Sequence, residues 1–225
     1  MNSDCLVIVP VFNEQKNILK TINNLKEFFE NIIVINDGSN DETQSILSSN
    51  SIPFLSHIIN LGQGAALETG LNFFINMTDF NYVITFDGDG QHLAKDAYEM
   101  FKYLKKESHQ IVVGNRFKDE EAIKEIPLLK RIILNLAIKY ERIFYSIKLN
   151  DSHNGLRVLT RKIVSENILP IKNNDMAHAT EIVYKASKVV KNIPEFKINI
   201  KYNGKRSQPP INAINIVTDN LLNKL

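Results

Sequence analysis

Thr85-Phe86-Asp87-Gly88-Asp89-Gly90-Gln91-His92, written TFDGDGQH, follows directly on the apolar run Tyr82-Val83-Ile84. Side chains alternate along a strand, so acids at i and i+2 point the same way, and the glycines behind them let backbone and ligand approach closely. Two carboxylates so placed suit a hard divalent cation. An Asp-Gly surface turn would give the same letters and need no metal. The sequence around the stretch decides between these readings.

Short β-rich runs alternate with helical patterns through the first half of the chain, the signature of stacked βα units around a mainly parallel sheet. Strands are expected at Cys5 to Val9, Ile32 to Ile35, Phe54 to Ile58, Tyr82 to Phe86 and Ile111 to Val113. Helices are expected at Glu14 to Phe29, where Ile18, Ile22, Leu25 and Phe29 keep helical spacing, and at Asp41 to Leu47, Gly64 to Met77 and His92 to Glu107. The strand runs are almost continuously apolar, as they must be when helices cover both faces. In open α/β sheets ligands bind beyond the carboxyl ends of the strands. Four polar motifs fall there: PVFNE, NDGSND, NLGQG and DGDGQH, one after each of the first four strands. A surface turn does not explain acids and glycines recurring after consecutive strands, so the functional reading of TFDGDGQH prevails.

The 225 residues are 44% hydrophobic and 23% charged, a composition that folds around a real core. With 27 Lys and Arg against 25 Asp and Glu, the net charge of +2 gives no general case for nucleic acid. The single cysteine, Cys5, sits in an apolar run and is expected to be buried, in keeping with a reduced cytosolic setting. The first residues lack the basic region of a signal peptide, and no apolar stretch reaches the roughly 18 to 20 residues of a membrane span.

Basic charge collects between Ile123 and Leu149, where Lys124, Lys130, Arg131, Lys139, Arg142 and Lys148 face only Glu125 and Glu141 among many apolar residues. Such a segment fits either an amphipathic helix in a membrane interface or a core helix with a solvated outer face. A second amphipathic pattern, Ile214, Val217, Leu221 and Leu222, follows Pro209-Pro210.

In their order along the chain, VPVFNE, INDGSND, NLGQGAALETG, FDGDGQH, GNRF and DSHNGLR resemble the family 2 glycosyltransferases of the GT-A fold, over nearly the whole sequence. The basic segment and DSHNGLR are most similar to that family's polyprenyl-phosphate branch. The resemblance implies an α/β, Rossmann-like, mainly parallel sheet flanked by helices, with amphipathic helices in the C-terminal half. It implies a domain over 1–207, with a nucleotide-sugar half over 1–115 and an acceptor half over 116–207 that contains the segment 123–149. A terminal amphipathic helix over 208–225 follows. Asp89, Asp87 and Gln91 would hold Mg2+ or Mn2+; Pro10, Phe12, Glu14, Asp37, Gly62 and Gln63, with Asp87, would bind the donor. Many relatives carry a basic residue where Gln63 stands, so a charge-assisted phosphate contact is not expected there. Asp89 and Asp87 with Arg116 and Arg157 would form the catalytic set, unless the arginines pair with a carboxylate such as Asp151. Arg131, Lys201 and Arg206 would line the acceptor.

The expected activity is metal-dependent, inverting transfer of a sugar from a UDP- or GDP-linked donor to a polyprenyl phosphate. It is placed at the cytoplasmic membrane face, with peripheral attachment, a small membrane-protein partner as one route to it, and without nucleic acid. Transfer to a saccharide hydroxyl with Glu181 as base is a rival, since a hydroxyl needs deprotonation and a phosphate monoester does not. A non-catalytic, membrane-associated nucleotide-sugar-binding subunit is another. A nucleotidyltransferase is disfavoured, because no long basic Gly-rich loop stands near the N-terminus. His153 and His178 are read as structural.

Overall fold

Period-two alternation along the first strand divides the molecule into two cores. β1 (Asn2–Val11) sends Cys5, Val7, Val9 and Val11 to one face and Leu6 and Ile8 to the other, all buried. β2 (Phe29–Asn36) does likewise, with Ile32 and Val34 opposed to Ile33 and Ile35. On the first face these meet Ile18, Ile22 and Leu25 of α1 (Ile18–Lys26), Leu47 of α2 (Thr43–Ser49) and Met100, Phe101 and Leu104 of α4 (Ala94–Lys106). On the second they meet Leu67, Leu71 and Phe74 of α3 (Gln63–Met77) and residues from the second half of the chain. A computed structural model of the protein describes residues 2–118, 138, 139, 142, 147–175 and 177–201. The predicted terminal helix 208–225, nearly all of the basic segment 123–149, and Arg131 and Arg206 lie outside them.

The remaining strands are β3 (Phe54–Ser56), β4 (Tyr82–Thr85), β5 (Ile111–Asn115), β6 (Arg157–Thr160) and β7 (Glu195–Lys197). They build one seven-stranded sheet in the order β3-β2-β1-β4-β6-β5-β7. β6 alone runs against its neighbours, β4 and β5; the other pairings are parallel. This reversal matters for function. The parallel strands β1, β2 and β4 end at one edge of the sheet, and β6 begins there, with Arg157 in register opposite Thr85. The loop that leads into β6 therefore arrives at the same edge from the other direction.

Several boundaries differ from the sequence expectation: α1 begins at Ile18 and not Glu14, β3 ends at Ser56 and not Ile58, and α4 begins at Ala94 and not His92. Two further differences change the architecture. α1 ends at Lys26, and Phe29, which fits the helical spacing, instead opens β2 and packs edge-on against Tyr98 at 6.2 Å. No strand is expected at DSHNGLR, yet its Arg157 starts β6, whose partners lie more than forty positions away in sequence.

Beyond β6 the chain forms α5 (Arg161–Ile163), a π-helical turn (Val164–Ile168) and α6 (His178–Ser187). Arg161 ties this second half to the first. Its guanidinium donates to the carbonyls of Phe80 (2.7 Å), Ile75 (3.0 Å), Phe74 (3.0 Å) and Thr78 (2.6 Å) at the end of α3, and lies 4.5 Å from the Phe74 ring centroid. The last carbonyls of a helix have no partner within it, and a cation there also answers the helix dipole. Arg161→Ala is expected to lower unfolding stability by about 3 kcal/mol, with Arg161→Lys restoring only a small part, because the planar fork reaches several carbonyls at once; urea titration checks this.

Candidate functional site

At the carboxyl edge of the sheet the backbone itself sets the starting positions. Asp37 N donates to Val11 O (2.9 Å) and Phe86 N to Ile8 O (3.0 Å), so NDGSND and FDGDGQH both leave the sheet beside the end of β1. Asp37 is buried, and its carboxylate accepts from Leu61 N (2.9 Å), Gly62 N (2.9 Å) and His57 Nδ1 (2.7 Å). With Nδ1 donating, His57 Nε2 accepts from Thr69 Oγ1 on α3 at 2.9 Å. Asp37, expected at the base of the nucleotide, thus anchors the NLGQG loop. No sequence motif singles out His57, although its place just before a glycine loop is a signal of such a role.

The NLGQG loop is held on its other side as well. Gly62 has φ +100°, and Gly64 N donates to Asn174 O at 2.7 Å. A Cβ on Gly62 would stand 2.4 Å from Asn174 O, and one on Gly64 2.0 Å from Asn173 O, so only glycine fits this approach. The amides of Leu61, Gly62 and Gly64 are all taken by protein oxygens. What the loop offers the strand ends is the Gln63 side chain, whose Nε2 donates to Asp87 Oδ1 at 2.9 Å.

Asp87 is gripped from three directions. Besides Gln63 on Oδ1, His92 Nε2 lies 3.2 Å from Oδ2, its ring set edge-on to Phe86 at 5.7 Å. Over the carboxylate lies Gly155 of the DSHNGLR loop, where a Cβ would fall 2.1 Å from Oδ2. That glycine is fixed by Thr85 Oγ1 donating to its carbonyl at 2.6 Å. Burial works to raise the Asp87 carboxyl, but the His92 hydrogen bond and the positive charges of His92 and Arg157 outweigh it and hold it below the usual value. Asp89 differs. One oxygen accepts from Gln91 N at 3.0 Å, and burial together with the Asp87 charge pushes its carboxyl up.

That asymmetry fits a cation at Asp89. A carboxylate destabilised by a like charge gains from a positive partner, and the His92 charge offsets only part of what burial and Asp87 impose on it. Among the described residues no group of three or more His, Cys, Asp or Glu forms a self-sufficient cage. Mg2+ does not need one, since it is held by one or two carboxylates with water and substrate phosphates completing its shell. The Gln91 side chain makes no hydrogen bond among the described residues, while its backbone carbonyl accepts from Lys201 N at 2.9 Å.

The arginines sit across from the acids in unlike settings. Arg116 forms a two-pronged pair with Asp151 (Nε to Oδ2 2.8 Å, Nη2 to Oδ1 3.0 Å), the pairing weighed above as the alternative to a ligand role. Asp151 is itself steadied by Glu195, whose carboxylate accepts from the amides of Asn150 (2.8 Å) and Asp151 (3.1 Å) and from Asn115 Nδ2 (2.9 Å). Arg157 is wholly buried, donates to Ser152 O at 3.1 Å, and acts on Asp87 through its charge. Pro10 is buried, Phe12 is 41% exposed, and Glu14 accepts from Asn17 Nδ2 at 2.6 Å. His178 donates through Nδ1 to Asp175 O at 2.5 Å, and burial lowers its pKa to about 4, which leaves a neutral structural imidazole.

Glu181, on the first turn of α6, is wholly buried. It accepts from Lys172 N (3.0 Å), Asn173 N (2.9 Å), Asn173 Nδ2 (2.7 Å) and Lys185 Nζ (2.5 Å). Burial alone would raise its carboxyl, yet these donors bring it below the usual value.

Residues 6–167 match the family model described as Glycosyl transferase family 2. The chain is 31% identical over 227 residues to an uncharacterized protein of Methanocaldococcus jannaschii, covering 99% of this chain and 93% of that one. It is 29% identical over 218 residues to the UDP-N-acetylglucosamine–dolichyl-phosphate N-acetylglucosaminyltransferase of Methanococcus voltae, with 87% and 85% covered. Among solved structures it is similar to glucosyl-3-phosphoglycerate synthase from Mycobacterium tuberculosis in complex with Mn2+, UDP-glucose and phosphoglyceric acid. That likeness has a TM-score of 0.73 at 14% identity over 97% of this chain and 78% of that one, a likeness of GT-A fold.

Because Gly155 lies on Asp87, Gly155→Ala is expected to lower sugar transfer at least about tenfold, the scale of a small misplacement of a reacting group. Thermal stability should fall far less; a paired activity and melting measurement checks both.

Proposed function

Because the chain belongs to glycosyl transferase family 2, we propose that it moves one sugar, with inversion, from a nucleotide-sugar donor to a polyprenyl phosphate at the cytoplasmic face of a membrane. The observation that carries this reading is the unequal standing of the two acids. Asp87 has both oxygens engaged by protein donors, while Asp89 keeps one oxygen without a protein partner among the described residues.

In this reading Asp89, with the Gln91 side-chain oxygen beside it, would hold Mg2+ or Mn2+ together with the donor diphosphate. When bound, such an ion offsets the charge that develops on the leaving diphosphate. Asp87, kept ionised and fixed by Gln63 and His92, orients the sugar-ribose part of the donor. Phe12, exposed beside Asp37, gives the nucleobase an apolar surface. Arg116, its guanidinium held flat by Asp151, is the cation on the acceptor side.

Two observations support a phosphate acceptor. The Methanococcus voltae relative is named for a dolichyl-phosphate acceptor. Glu181, the one base considered for a hydroxyl acceptor, is buried with its lone pairs taken and its basicity lowered. A phosphate monoester is already anionic near neutral pH and attacks without a base. No described helix is long and apolar enough to cross a membrane. Attachment would fall to the basic segment 123–149, with Arg131, and to the segment 208–225 with its amphipathic sequence pattern; Lys201 and Arg206 would meet the acceptor's head.

Asp89→Ala is expected to reduce transfer by at least about a thousandfold with the melting temperature within a few degrees of wild type, as befits loss of an electrostatic group at the reacting centre. Radiolabelled sugar from a UDP or GDP donor should enter the organic phase with polyprenyl phosphate present. Product confined to the aqueous phase, or full activity of Asp89→Ala with saturating Mg2+, contradicts the reading.

A further inference from the structure

Glu181 takes no part in the site as proposed, yet it is a fully buried acid with four donors around it. Burying a carboxylate is costly unless every lone pair is answered, so so complete a set of donors marks a position the fold depends on. The donors share one location. Lys172 N, Asn173 N and Asn173 Nδ2 belong to the short segment before α6, and Lys185 Nζ, which closes the carboxylate from the next helical turn, also donates to the carbonyls of Ile168 and Pro170. The stretch from Ile168 to Asn173 is therefore tied at its start by Lys185 and at its end by Glu181, the two members of one ion pair.

Its exposed edge is what the donor loop rests on. Asn174 O receives Gly64 N, and the carbonyls of Asn173 and Asn174 occupy the space that any Cβ on Gly64 or Gly62 would need. Between those two glycines stands Gln63, which reaches Asp87. An unbroken path thus runs from Glu181 through the 172–174 segment and the NLGQG loop to the acid at the donor.

We propose that Glu181 is a positioning residue: through residues 172–174 it fixes the loop that presents Gln63 to Asp87, and so governs how tightly the nucleotide-sugar donor is held. It moves no proton. The proposal rests on the donor reading of the NLGQG loop and goes beyond it by assigning the far end of the brace.

The test is steady-state kinetics with the UDP- or GDP-sugar on three variants that strike the same contact from opposite sides. Glu181→Gln places an amide N–H2 against existing N–H donors; Asn173→Ala removes one bond to the carboxylate and leaves the backbone intact; Gly64→Ala forces the loop off the segment. Donor KM is expected to rise about tenfold or more in Glu181→Gln and Gly64→Ala and about threefold in Asn173→Ala, with kcat changed far less and the wild-type pH profile kept. If Glu181→Gln does not fold, Asn173→Ala and Gly64→Ala carry the comparison. A collapse of kcat at unchanged donor KM, with the acidic limb of the pH profile lost, makes Glu181 a base and overturns the proposal. Unchanged KM in all folded variants overturns it as well. Wild-type protein that binds no nucleotide sugar defeats the functional reading first, and this inference with it.

Discussion

The carboxylate of Asp87 is held by groups that come from three separate segments of chain, and the geometry of the site follows from that hold. Gln63 arrives from the loop after β3, His92 from the turn that follows β4, and Gly155 from the loop that enters β6. None of these meets Asp87 unless the sheet is assembled in its observed order. β6 must run antiparallel for Gly155 to reach the edge where β4 ends. A fold that sets one acid this firmly can leave its neighbour open, and the division between a fixed Asp87 and an available Asp89 is the basis of the chemistry proposed for the chain.

The physical logic is one of opposed charges and limited solvent. Two carboxylates two residues apart repel, and partial burial increases that repulsion. The protein relieves it unevenly, giving Asp87 a histidine, an amide and the nearby charge of Arg157, and giving Asp89 one backbone amide hydrogen bond and part of the His92 charge. The brace under the donor loop works on the same principle at greater depth. Asp37 and Glu181 are both buried acids whose oxygens are filled by backbone amides: Asp37 holds the NLGQG loop directly, and Glu181 holds residues 172 and 173, next to the Asn174 carbonyl that the loop bonds to. Acids that resemble active-site residues in the sequence can therefore be parts of the frame.

Much of the sheet was legible because a strand buried on both faces leaves an unbroken apolar run, as in Val7 to Val9 or Ile32 to Ile35. The acids and glycines at the ends of those runs followed from where parallel strands must stop. Phe29 misleads because its spacing from Leu25 suits a helix, and only its pairing with Asn2 of β1 shows that it opens β2. β6 was hidden in four residues behind a turn-like DSHNG, with partners distant in sequence. The same distance concealed the roles within the site: Asp37 meets an amide 24 residues away, Arg116 meets Asp151 35 residues away, and His57 spans Asp37 and Thr69. Residue type and local spacing locate a site; the division of labour within it depends on contacts that no local pattern records.

The most direct measurement is crystallographic: diffraction at the manganese absorption edge from crystals of the full chain grown with Mn2+ and a nucleoside diphosphate. The account predicts an anomalous peak at the Asp89 carboxylate, bridging it to the diphosphate, with Asp87 still bonded to Gln63 and His92. Bound diphosphate with no metal at Asp89, or a peak elsewhere in the molecule, would contradict it.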